Sequence, residues 1–94
     1  MITVFRIELT IKVEGIRSLK EKRGVISRIK TLVKKTYNAG IAESHLNDAL
    51  DYIGITIALI ITTGTDHRTL IDRLIERIEV LSGGIAETEE IIEA

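Results

Sequence analysis

The sequence contains no cysteine, no proline and no tryptophan, and only 3% of its 94 residues are aromatic. The lack of cysteine rules out a disulfide scaffold, a thiol nucleophile and a thiolate-based metal site. The lack of proline means that no proline-rich linker divides the chain. With so few aromatics, the core has to be aliphatic. Hydrophobic residues make up 45% of the chain, which is ample for one core and argues against disorder. Long apolar runs are missing too. The longest, at 57–61, is far too short to cross a bilayer. The opening Met1-Ile2-Thr3-Val4-Phe5-Arg6 alternates, instead of placing charge ahead of an apolar block. No signal peptide is therefore expected, and a cytoplasmic location is the default reading. The length suits a single domain over residues 1–94.

The net charge of −1 conceals a segregation. Residues 17–35 carry eight basic side chains against Glu21 alone. Residues 66–94 carry eight acidic side chains against Arg68, Arg73 and Arg77. Such asymmetry steers a charged partner, and it also lets copies of the same chain attract one another.

From residue 3 to 13 polar and apolar residues alternate, with Phe5, Ile7, Leu9, Ile11 and Val13 on one side. A period of two with one apolar face predicts a half-buried strand. Ser18-Leu19-Lys20-Glu21 has the form of a capping box, in which the Ser18 hydroxyl accepts from the Glu21 N–H and the Glu21 carboxylate reaches back to Ser18. Val25, Ile26, Ile29, Leu32 and Val33 then follow at helical spacing, up to a stop near Tyr37-Asn38-Ala39-Gly40. A short strand is predicted over Ile41–Leu46, a turn over Asn47–Asp51 and a long Ile-rich strand over Tyr52–Thr63. A second helix opens with Thr65 or Asp66 as its cap. It carries the stripe Leu70, Ile71, Leu74, Ile75, Ile78 and Leu81, and stops at Ser82-Gly83-Gly84. A weaker acidic strand closes the chain over Ile85–Glu93.

This order predicts an α+β fold of the ferredoxin-like βαββαβ type, a four-stranded antiparallel sheet with two helices on one face. Right-handed crossovers place the first and third strands at the centre.

The stretch Arg17-Ser18-Leu19-Lys20-Glu21-Lys22-Arg23, following an N-terminal strand, resembles the signature of the YlxP-like family. Ala42-Glu43 in the second strand is similar as well. The loop after that strand departs from the family. A tryptophan is common there, and this chain reads Asp48-Ala49-Leu50-Asp51-Tyr52. The resemblance implies a ferredoxin-like fold without an assigned activity. Bacterial members tend to be encoded among translation and ribosome-assembly genes, which implies contact with RNA or the ribosome.

The basic helix is the first candidate surface. Lys20, Lys22, Arg23, Lys30 and Lys34, supported by Arg17 and Arg28, are expected to meet phosphates. The plain alternative is a solvated helix face. Base stacking on the sheet needs exposed aromatics. Phe5 has inward parity and the third strand offers only Tyr52, so nucleic acid is expected at the helix and loops.

The second candidate is the uncovered sheet face. Val4, Gly54, Thr56, Ala58 and Ile60 form a small-to-apolar centre, ringed by Arg6, Glu8, Lys12, Glu43, Glu87 and Glu89. A solvated face is usual for antiparallel sheets. The other expectation is a homo-oligomer, formed face to face or through edge strands.

Three further chemistries have partial signals in the sequence. Val13-Glu14-Gly15-Ile16 resembles the phosphate loop of acylphosphatases, but Leu19 stands where that family has its catalytic Arg, and the Asn-bearing second strand is missing. Gly15 matches the loop glycine of ACT-type ligand-sensing domains, and a turn residue with positive φ explains it equally. His45 with Asp48 and Asp51 lacks metal-motif spacing, and His67 is expected at the surface. A non-enzymatic protein with no cofactor and no metal is expected.

Overall fold

A computed structural model describes residues 2–62, 64 and 66–93. Six elements follow in order: β1 (Ile2–Lys12), α1 (Leu19–Tyr37), β2 (Gly40–His45), β3 (Tyr52–Thr62), α2 (His67–Ser82) and β4 (Ile85–Glu93). The strands form one antiparallel sheet in the order β2-β3-β1-β4, which is the ferredoxin-like arrangement. β1 and β3 are central and pair over eleven residues, from Ile2↔Thr62 to Lys12↔Tyr52.

Alternation along these two strands sends Ile7, Leu9, Ile11, Ile53, Ile55 and Ile57 to one side, where all are fully buried. Ile29 and Val33 of α1 and Ile71, Leu74 and Ile78 of α2 close over them in one cluster. The predicted α2 stripe narrows in the structure. Leu70 and Ile75 are only half-buried, and Leu81 is exposed in the groove facing α1.

Each helix end has a local cause. The Ser18 hydroxyl accepts from the Glu21 N–H at 3.1 Å, as the capping box requires. The returning bond differs, because the Glu21 carboxylate accepts from the Arg17 N–H at 3.2 Å and not from Ser18. Asn38, at φ 50°, ends α1, and Gly83, at φ 70°, ends α2. β2 stops at His45, one residue before the predicted end, because Leu46 turns to φ 59°. Of the predicted boundary residues, Thr63 and Thr65 lie outside the described residues.

Asp66 is the cap of α2. Its carboxylate accepts from the backbone of Arg68 and Thr69 and from the Thr69 hydroxyl, the last at 2.8 Å. The Thr69 hydroxyl bond is the main reason its pKa falls below the ordinary carboxylate value, with the backbone bonds adding to it. A depressed folded-state pKa makes the cap's contribution fully present above the unfolded-state value and lost as pH falls through the folded one. Thermal melts from neutral to acid pH should therefore show Asp66→Ala less stable than wild type at neutral pH, with the two curves converging in acid. Asp66→Asn, which keeps an acceptor, should lose less at neutral pH.

Candidate nucleic-acid interface

α1 carries most of the basic residues, and its helical geometry sorts them into three groups. Lys22 falls in the middle of the buried stripe formed by Val25, Ile26, Ile29 and Val33. It is 1% exposed. Its ammonium donates to the carbonyl oxygens of Leu46 (2.7 Å), Asn47 (3.4 Å) and Ala49, and pairs with the Glu43 carboxylate at 3.6 Å. All three of its donors are thus spent inside the protein. Lys22 therefore does not belong to the phosphate-facing set in which the sequence placed it. It fills a nest of carbonyls that folds the β2–β3 turn back onto the first turn of α1. Glu43 is corrected with it, since it lies on the helix side of the sheet, paired opposite Ile55, and not on the open face.

Lys20, Arg23, Lys30 and Lys34 form the second group. At 100° per residue they share one flank of the helix, turned away from the buried stripe. Lys30 is half-buried and the other three are exposed. From Lys20 to Lys34 the flank runs about 21 Å at 1.5 Å per residue. Lys34 and Lys35 also sit in the last turn, where cations complement the helix dipole.

Arg28 stands apart, on the flank facing α2. It lines a groove with Ser27, Thr31, Leu32 and Leu81. An adjoining groove is lined by Leu32, Arg77, Val80 and Leu81. Arg73 lies one turn before Arg77 on the same side of α2. Asp72 and Glu79 take the opposite side. Asp72 shares a cavity with Ile91, and the Glu79 carboxylate accepts from the Ala86 N–H at 2.9 Å. α2 is thus itself divided, with Arg73 and Arg77 toward α1 and Asp72 and Glu79 toward β4, where Arg68 joins Asp72 and Ile91 around one cavity. Total charge over residues 66–94 obscured these arginines. The i, i+4 spacing of Arg73 and Arg77, set against Asp72, Glu76 and Glu79, is the signal that separates them.

Arg17 is exposed in the loop before α1. Its backbone N–H and that of Glu21 are both taken by side chains of the same turn, and in the preceding Val13-Glu14-Gly15-Ile16 stretch the Val13 N–H donates to the Asp51 carbonyl. Gly15 adopts φ 81°, the conformation expected of a turn glycine.

The open sheet face splits into two halves. At one end Ile2, Val4, Ala58, Ile60 and Ile92 are contiguous through the pairs Val4↔Ile60, Arg6↔Ala58 and Arg6↔Ile92. The other end is polar. A bulge at Ser44 turns both Ser44 and His45 outward, and His45 pairs opposite Gly54. The Thr56 hydroxyl donates to Ser44 Oγ (2.8 Å), Ser44 Oγ bonds His45 Nδ1 (2.8 Å), and His45 Nε2 bonds Thr10 Oγ1 (3.1 Å). Both ring nitrogens are engaged here, neither with Asp48 nor with Asp51. Gly54 is buried beneath this ring and is not part of a free surface, which corrects its place in the expected interface. Thr56 is half-buried in the same network, and Val4, Ala58 and Ile60 keep their outward positions. Phe5 is buried and stacks on His67 with ring centroids 5.0 Å apart, so it offers no platform on the open face.

Fold and surface together define a small α+β domain of the ferredoxin-like type, with a lysine-filled turn and a basic helical layer. The chain belongs to the DUF503 family, proteins of unknown function, whose profile matches residues 3–89. No curated protein matches the chain.

Proposed function

We propose that this protein is a non-enzymatic accessory factor that contacts structured RNA through the exposed flank of α1. The observation that carries the reading is the alignment of Lys20, Arg23, Lys30 and Lys34 along one helix flank. Arg28 and Arg77 add separate positive charge in the grooves on the other flank, between α1 and α2. These side chains read phosphates, not bases, so binding is sequence-tolerant and salt-sensitive. The resemblance of the Arg17–Arg23 stretch to YlxP-like proteins, with their translation-linked gene neighbourhoods, supports the same reading and points to ribosomal RNA as the source.

The test is fluorescence anisotropy of a labelled RNA hairpin between about 50 and 200 mM salt. Four phosphate contacts on the hairpin stem predict a slope of roughly −3.5 in log affinity against log salt. Lys30→Ala and Lys34→Ala should each flatten that slope by about one. Undetectable binding at the lower salt, or binding indifferent to salt, would overturn the reading.

A further inference from the structure

We infer that the open sheet face is a homodimer interface, with β1 of each copy packed across β3 of the other. The two central strands differ in side-chain size on this face. β1 presents the long Arg6 and Glu8, whereas β3 presents Thr56 and Ala58 opposite them in register. A twofold axis running along the strands, between β1 and β3, superposes these unlike rows. Arg6 of one copy then covers Ala58 of the other, the longer Glu8 lies over the shorter Thr56, and Val4 meets Ile60. The apolar end lands on the apolar end, which covers Ile2 and Ile60, now 66% and 57% exposed. Arg6 keeps its carboxylate partner Glu90, 3.4 Å away on the same face.

Area favours this occupant. Strands of 11, 11, 9 and 6 residues give a face of roughly 600 Å² per copy, about 1,200 Å² for the pair, at strand spacings near 4.8 Å. That reaches the range of stable interfaces. Edge pairing is opposed by the structure itself. β4 carries Glu87, Glu89, Glu90 and Glu93, and both edge strands are broken by irregularities in register.

Sedimentation velocity up to roughly 100 μM protein tests the inference. Wild type should sediment at twice the chain mass. Ala58→Arg, which sets two guanidinium groups against each other across the axis, should sediment as a monomer with an unchanged circular dichroism spectrum. Exchanging the pair, as Arg6→Ala with Ala58→Arg, restores one long and one short side chain at each contact and should restore the dimer. A monomeric wild type overturns the proposal, and so does an Ala58→Arg variant that stays dimeric. Failure of the folded double variant to dimerise overturns the stated register.

Discussion

Replacing Lys22 with alanine is expected to destabilise the fold by about 3–5 kcal/mol, the range for breaking a buried charge pair from one side. The side chain is 1% exposed, and its ammonium holds the carbonyls of Leu46, Asn47 and Ala49 together with the Glu43 carboxylate. Removing it leaves the Asn47 and Ala49 carbonyls without that donor, the Leu46 carbonyl with the Ala49 N–H alone, and a carboxylate without its counter-charge. The turn has little else to hold it. Among the described residues its other backbone ties are the Ala49 N–H to Leu46 carbonyl bond and the Val13 N–H to Asp51 carbonyl bond, and Leu46 sits at φ 59°, which is costly for a bulky residue. Lys22→Met should recover only the packing of the stem, because the acceptors stay orphaned. Lys22→Arg should not restore stability either, since a planar fork does not reproduce three donors converging from one nitrogen. Urea unfolding gives the loss. Hydrogen exchange should place the earliest loss of protection at residues 46–51. If Lys22→Ala unfolds within about 1 kcal/mol of wild type, the nest is not a stabilising element.

Lys22 also shows how the sequence was informative and where it misled. Element order and most boundaries follow from periodicity and caps, because alternation, the Ser18 and Asp66 caps and the Asn38 and Gly83 stops are all local signals. Charge alone assigns Lys22 to the phosphate-facing set, although its spacing to Val25, Ile26, Ile29 and Val33 places it on the buried stripe. That spacing was visible. What the sequence could not show was the set of carbonyls 24 to 27 residues away that makes burial of an ammonium tolerable. Glu43 was misplaced for a related reason. It shares the parity of Ile41, so plain alternation already puts it on the helix side opposite Ile55; the bulge at Ser44 comes after it and changes the side of His45 alone. Bulges carry no dependable signature in a single sequence. The basic flank of α1 needed only helical geometry. The arginines of α2 needed the knowledge that α2 packs beside α1.

Gly54→Val is expected to cost about 1–3 kcal/mol or more, through overpacking on what looks like an open face. A Cβ built at Gly54 lies 2.5 Å from both the His45 ring and the His45 carbonyl oxygen, distances that side chains do not occupy. The glycine thus exists to let the bulged end of β2 lie flat against β3. Two obstacles are present, and they can be separated. His45→Ala removes the ring and its bonds to Ser44 and Thr10, but leaves the carbonyl in place. If the ring alone were the obstacle, Gly54→Ala in a His45→Ala background would be neutral. Because the carbonyl is equally close, the double variant should remain less stable than His45→Ala alone by about 1 kcal/mol or more. A double-mutant cycle by chemical denaturation measures that difference. Full rescue by His45→Ala would mean that the backbone of β2 can move away, and that the bulge is not held in register by Gly54. Retained destabilisation would identify the close backbone approach as the reason that glycine, and no larger residue, fits this position.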